Sequence, residues 1–280
     1  MQADFSNPTP RAAGVTPQGT AWSRYGQGTP VVLLHGVGMD RRVWTPQIND
    51  LAQDFDVLVF DMWGHGQSVL PNSQSGPLEL GDYARQLLDL MDQQDISQAH
   101  VVGHSMGALV ALEFALDHPE RCLSVVAMNA VFSRSESQSQ MVQRRAQELS
   151  LHGTQANLDD TMARWFGCPV APDAVQAEKL SRRLLEEVNP RGYASAYQVF
   201  ATADAQHAPR LHGLLPHTRF FTGELDPNST PAMSQAMAEL APNAEVIVLP
   251  GQRHMMSLTA PMQVNQVLRE AFNPLTEQLP

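Results

Sequence analysis

The stretch Ala99-His100-Val101-Val102-Gly103-His104-Ser105-Met106-Gly107-Ala108-Leu109-Val110-Ala111-Leu112 changes character at one point. Up to Val102 it is a short, β-branched apolar run, the pattern of a strand buried on both faces. From Met106 to Leu116 it reads as an apolar helix. A strand that runs directly into a helix needs a sharp turn, and glycines on both sides let the backbone cross itself. Gly103 and Gly107 frame Ser105, which such a turn holds in a strained conformation with its hydroxyl exposed. The helix N-terminus beneath Ser105 adds a positive dipole end.

Working outward, the same strand and helix alternation repeats on both sides. Residues 31–34 (Val-Val-Leu-Leu) and 57–60 (Val-Leu-Val-Phe) are buried-strand runs, ending at His35-Gly36 and Asp61, with a helical stretch at about 43–52 between them. Leu80, Tyr83, Ala84, Leu87, Leu88 and Met91 keep helical spacing, and 123–128 supplies another strand. From about 133 to 212 the strands stop, and Gln-, Arg-, Ser- and Leu-rich helical stretches appear around 141–149 and 178–187. The alternation resumes with strands at 218–222 and 245–249, a helix at about 232–240 and a closing helix over Val264, Val267, Leu268, Ala271 and Phe272. Helix-length connections between buried strands predict an α/β fold, a mostly parallel central sheet with helices on both faces. The expected division is an irregular N-terminal segment at 1–19, a core at 20–132 and 213–280, and a helical insertion at 133–212.

Composition narrows the function. Hydrophobic residues make up 43% of the 280 and charged ones 17%, the balance of a folded globular chain. The net charge of −11 repels phosphate backbones and anionic lipid, so neither nucleic acid nor membrane partners are expected. Cys122 and Cys168 stand in no C-x-x-C spacing and read as reduced thiols. The start Met1-Gln2-Ala3-Asp4-Phe5-Ser6-Asn7-Pro8 has no basic segment followed by an apolar run, so a cytoplasmic enzyme is expected. Oligomeric state is not legible.

A serine hydroxyl is a weak nucleophile unless a base takes its proton and an acid holds that base in one tautomer. Both partners follow later strands. Asp226 lies in Gly223-Glu224-Leu225-Asp226-Pro227, just past the strand at 218–222, with Glu224 as its nearest rival. His254 lies in Pro250-Gly251-Gln252-Arg253-His254, past the last strand. The Gly-x-Ser-x-Gly turn, the order Ser, Asp, His and the strand ends that carry them resemble the α/β-hydrolase family over roughly residues 31–272.

That resemblance implies Ser105 as nucleophile, His254 as general base and acid, and Asp226 as the residue orienting His254. It implies an oxyanion hole from the backbone N–H groups of Met106 and Val37, the latter in the loop His35-Gly36-Val37-Gly38-Met39-Asp40. The segment Asp61-Met62-Trp63-Gly64-His65-Gly66-Gln67-Ser68 resembles the family's D-x-x-G-x-G-x-S turn and is expected to shape the floor of the site. The insertion is expected to form a cap, or lid, above Ser105. His35, Gly36, His104, Trp165 and Phe166 are candidate substrate-pocket residues.

The competing motifs are weaker. Gly36-x-Gly38 lacks the third glycine of a dinucleotide fingerprint, and no P-loop sequence occurs. The histidines fall in no H-x-H or H-E-x-x-H spacing, so no metal is expected, and the mechanism calls for no cofactor. Arg144-Arg145 and Arg182-Arg183 read as solvated helix faces, with recognition of a substrate carboxylate as the alternative. The loop 35–47 and the turn around Ser105 look most like the small esterase and 3-oxoadipate enol-lactonase branch, which implies hydrolysis of a small ester or enol-lactone substrate. Carbon–carbon hydrolysis of a vinylogous diketone, amide hydrolysis and a ligand-binding protein with little turnover stay open.

Overall fold

The computed structural model describes residues 5–6, 8–71, 77–152 and 158–273. Its strands are Ala12–Val15 (β1), Ala21–Tyr25 (β2), Thr29–Leu34 (β3), Phe55–Phe60 (β4), Ala99–His104 (β5), Cys122–Met128 (β6), Thr218–Gly223 (β7) and Ala244–Leu249 (β8). They make one sheet in the order β1-β2-β4-β3-β5-β6-β7-β8. From β4 through β8 every pairing is parallel, whereas β1 pairs antiparallel with β2, and β2 with β4. The runs read as buried on both faces, Val31 to Leu34, Val57 to Phe60 and Ala99 to Val102, are indeed buried.

The helices are Thr45–Leu51 (α1), Leu80–Gln93 (α2), Met106–Asp117 (α3), Glu136–His152 (α4), Leu158–Phe166 (α5), Val175–Glu187 (α6), Pro190–Thr202 (α7), Pro231–Leu240 (α8), Met256–Thr259 (α9) and Pro261–Phe272 (α10). From β3 the chain crosses through α1 to β4, then reverses over β3 through α2 to reach β5. Crossovers are right-handed, so the reversal sends α1 to one face and α2, α3 and α8 to the other. Accordingly α1 packs with α10, and α2 with α3. The reversal also opens a crevice outside the carboxyl ends of β3 and β5, where open α/β sheets place their ligands. The loop after β3 and the turn at Ser105 both lie at those ends.

The helices differ in pattern according to what covers them. α2 buries Leu80, Tyr83, Ala84, Leu87, Leu90 and Met91 at three- and four-residue spacing and leaves its other face to solvent. α3 is apolar almost all round because it lies between β3, β5 and β6 on one side and α2 on the other. Full burial of Leu109, Leu112 or Phe114 there is worth roughly 1.5–3 kcal/mol each.

Helices α4 to α7 fill the chain between β6 and β7, where a strand-free insertion is expected. Its two ends are tied together: Ser133 N–H donates to the Asp204 carbonyl at 3.0 Å, and Arg134 donates to the Asp204 carboxylate at 2.7 Å from its backbone and 3.1 Å from its guanidinium. At the other side of the insertion, Gly192 in the first turn of α7 lies directly on Gly64. A Cβ on Gly192 would stand 2.0 Å from the Gly64 carbonyl oxygen.

The expectation that residues 1–19 are irregular needs correction, residues 1–4 and 7 lying outside the described ones. Ala12–Val15 is an edge strand of the main sheet, and β2 continues the sheet inward from it. All four β1 residues are exposed, so burial imposes no apolar pattern on them. In β2 Ala21 and Ser23 are buried while Arg24 reaches Asp56 at 2.5 Å, a mixed composition that hides a strand of five residues. Among the described residues no helix is long and apolar enough to cross a membrane.

Candidate active site

Ser105 sits between β5 and α3 with φ +55° and ψ −116°, a backbone conformation that costs about 1–3 kcal/mol for a residue with a Cβ. The close approach of the flanking backbone explains why two glycines are needed. A Cβ on Gly103 would lie 2.0 Å from the Gly107 carbonyl oxygen, and one on Gly107 would lie 2.4 Å from the Leu34 carbonyl oxygen. Ser105 N–H donates to the Met128 carbonyl at 2.8 Å, which fastens the turn to β6.

His254 follows β8, and its Nδ1 lies 2.8 Å from Asp226 Oδ2, at the end of β7. Both side chains are buried. Asp226 also accepts from the Asn228 N–H at 2.8 Å, the Asn129 side-chain amide at 2.8 Å and the Ser229 hydroxyl. Burial pushes the Asp226 carboxyl up, but the charge and hydrogen bond of His254, with the hydrogen bonds of Ser229 and Asn228, outweigh it and hold the group well below the usual carboxylate range. An ionised Asp226 accepts from Nδ1–H of His254 and leaves Nε2 as the basic nitrogen. Glu224, the rival acid, instead accepts from the Gly251 N–H at 2.8 Å on the exposed side of the loop. Ser105 and His254 line the same cavity. No Ser105–His254 hydrogen bond forms among the described residues, a contact that commonly tightens only around the reacting group.

The loop after β3 is held from beneath by two neutral histidines. His35 Nε2 accepts from Met62 N–H at 2.9 Å, and His65 Nε2 accepts from Gly38 N–H at 3.0 Å. Burial pushes the His65 pKa down to about 3, so the ring keeps the lone pair that this bond requires. Asp61 takes N–H groups of Arg41 at 2.9 Å and Gln67 at 2.8 Å, so the turn at 61–68 braces the loop at 35–40. Gly36 faces the turn at Ser105: a Cβ there would lie 3.2 Å from Ser105 Cβ. The amides of Val37 and Met106 donate to no backbone acceptor among the described residues.

A cavity of about 350 Å³ opens over Ser105, with Val37, Trp165 and His254 in its wall. Of the five candidate pocket residues only Trp165 lines it, its ring stacked on His254 at 5.7 Å between centroids. His35 and Gly36 belong to the braced loop behind the wall. His104 donates from Nε2 to the His254 carbonyl at 2.8 Å, and burial with the nearby His254 charge pushes its pKa down to about 3, so it supports His254 from behind. Phe166 is buried without reaching the cavity. The face of α5 toward the cavity runs through Thr161, Arg164 and Trp165, and Phe166 lies past its edge.

Residues 29–261 match a family described as the alpha/beta hydrolase fold. The chain belongs to this family. It is 33% identical over 246 residues to an (E)-2-((N-methylformamido)methylene)succinate hydrolase of Acinetobacter baylyi, covering 87% of this chain and 90% of that one. It is 28% identical over 250 residues to 3-oxoadipate enol-lactonase 2 of the same organism, covering 88% and 90%. Among solved structures, the enol-lactonase from Burkholderia xenovorans LB400 superposes with a TM-score of 0.83 at 24% identity, covering 91% of this chain and 96% of that one. The chain is a hydrolase of this fold.

Several site residues of this hydrolase were not singled out from sequence. Asn129 donates to Asp226 and has φ +51°. Arg164 lines the cavity from α5, beside Tyr193 and Tyr197 from α7; Arg145 joins them from α4, where the sequence reads as a solvated face with a substrate carboxylate as the alternative. The signal available for them was helical spacing. Gln138, Val142 and Arg145 share a face of α4, as Thr161, Arg164 and Trp165 share one of α5, but spacing alone does not say which face meets a cavity.

Proposed function

We propose that this hydrolase cleaves a small carboxylic ester or lactone through an acyl-enzyme on Ser105, beneath a cap formed by residues 133–212. Ser105 Oγ attacks the carbonyl carbon while His254 Nε2 takes its proton. The Val37 and Met106 N–H groups hold the oxyanion, and His254 returns the proton to the leaving alkoxide. Water then attacks the acyl group with His254 as base, releasing the acid and restoring Ser105. Asp226 keeps Nδ1 protonated and balances the imidazolium. The observation that carries this reading is the 2.8 Å His254–Asp226 contact behind a serine held at φ +55° on the same cavity.

A second reading is amide hydrolysis by the same three residues, favoured by the Acinetobacter baylyi relative whose named substrate carries a formamido group. Steady-state hydrolysis of short p-nitrophenyl esters, an enol-lactone, an N-acyl enamine and a vinylogous diketone by wild type and Ser105→Ala separates these. Ester or lactone turnover that falls at least about 10⁴-fold in Ser105→Ala supports the first reading. Turnover confined to the enamide favours the second, and turnover confined to the diketone would move the reaction to carbon–carbon cleavage. Ligand binding without turnover of any of them would leave a binding protein on a hydrolase fold.

A further inference from the structure

The chain carries 18 basic residues against 29 acidic ones, yet Arg134, Arg144, Arg145 and Arg164 all line the cavity over Ser105, against Glu148 and Asp160. Two of the four are accounted for elsewhere. Arg134 is paired with Asp204, and Arg144 is exposed to solvent. Arg145 and Arg164 differ from these: among the described residues no salt bridge of either is seen, and Asp160 acts on Arg164 only at longer range.

Both guanidinium groups instead converge on one neutral atom. Arg145 Nη2 donates to Thr161 Oγ1, and Arg164 Nη2 donates to the same oxygen at 3.3 Å. Arg145 also sits 5.7 Å from the Tyr197 ring centre, yet among the described residues its buried Nε–H has no hydrogen-bond partner. A hydroxyl satisfies hydrogen bonds but neutralises no charge. Burial, and next the charge of Arg145, lower the pKa of Arg164 and outweigh the opposing charge of Asp160, as expected of two like charges drawn together with no carboxylate in direct contact. Such an arrangement is unfavourable unless an anion enters between the two. The site is built on helices α4 and α5 and joined by one cavity to Ser105 and His254.

We infer that Arg145 and Arg164 together bind a carboxylate of the substrate, so that the enzyme acts on a half-ester, lactone acid or amide acid with its anionic end under α4 and α5 and its scissile carbonyl at Ser105. A planar carboxylate accepts two N–H groups from a guanidinium fork, a match that a hydroxyl or a neutral alkyl end lacks. The inference rests on the serine hydrolase reading for the reacting end only, because binding of the anion is measurable without turnover.

The test compares kcat/KM for monoethyl succinate, glutarate and adipate with the neutral ethyl butyrate, pentanoate and hexanoate, in wild type, Arg145→Met, Arg164→Met and Arg164→Lys. Wild type should favour the acid of the best-fitting length by about 10- to 100-fold, mainly through KM. Each Met variant should collapse that ratio, and Arg164→Lys, which keeps the charge and loses the fork, should fall between. In parallel, calorimetry with glutarate on Ser105→Ala should show binding that weakens at least about tenfold when Arg164→Met is added. A wild-type ratio near one at every length, or a ratio that survives both Met variants, overturns the inference even if the esters are hydrolysed. Arginine-dependent glutarate binding with no hydrolysis of any ester would uphold the anion site and reject the ester reading instead.

Discussion

Ser105 combines a chemical and a conformational demand in one residue. Its φ of +55° is one that a side chain disfavours and glycine tolerates. Ser105→Gly and Ser105→Ala both remove the hydroxyl, but only glycine relieves the strain. We expect Ser105→Gly to be more stable than Ser105→Ala by about 1 kcal/mol, the strain relieved less the added unfolded-state entropy of glycine. Paired denaturant titrations check this, and equal midpoints would show that the turn is unstrained. Asp226 is expected to matter through tautomer control. Asp226→Asn should lower kcat by roughly 10⁴-fold because an amide at that position admits the wrong His254 tautomer. A loss below about tenfold, measured on whichever substrate wild type turns over, would remove Asp226 from that role.

Elements meet the site through contacts between backbones as much as side chains. The first turn of α7 lies on Gly64, in the turn that carries His65, and His65 in turn accepts from the Gly38 N–H of the loop after β3. The insertion and the loop beside Ser105 are therefore linked through a few rigid contacts. Gly192→Ala puts a methyl 2.0 Å from a backbone oxygen that has no flexible end to swing away. It should destabilise the fold by roughly 1–3 kcal/mol, seen in a thermal melt, and lower kcat/KM more than a substitution on the solvent face of α6 such as Arg183→Ala. Unchanged melting and kinetics would mean that α7 is free to ride up from the core. The same scale explains the reading of Arg145 as solvated. Helical period showed that it shares a face with Gln138 and Val142, and the packing of α4 on α7 turned that face inward.

For the whole molecule, buried neutral histidines set the response to acid. Burial pushes His65 and His104 down to about 3 and His100 to about 4, whereas in the unfolded chain each titrates near 6.5. Between those values the unfolded chain binds protons that the folded one refuses. Stability is therefore full above pH 6.5 and declines as pH falls toward 4, by at most about 1.4 kcal/mol per histidine per pH unit. Asp226, with its pKa held low, works in a lower window: its contribution is present above about 4 and is lost only under stronger acid. The melting temperature should drop by several degrees from pH 7 to pH 5. A melting temperature that is flat over that range would show that the three rings take up protons in the folded state.

Most of the central sheet was legible because buried parallel strands must be apolar on both faces, and runs such as Val57 to Phe60 have no other reading once helices alternate with them. The turn at Ser105, the residues Asp226 and His254 at the ends of later strands, and the strand-free insertion are likewise local in the chain. Each is dictated by constraints acting within a few residues: glycines where backbones nearly touch, apolar runs that end at a polar loop. The edge strands β1 and β2 escaped because exposed strands need no apolar pattern. Tertiary structure alone decided that Asn129 meets Asp226, that Trp165 rather than Phe166 faces His254, and that Arg145 and Arg164 converge on Thr161. Those meetings join residues from separate elements, and only the packing of helix on helix and strand on strand chooses which face of each turns inward.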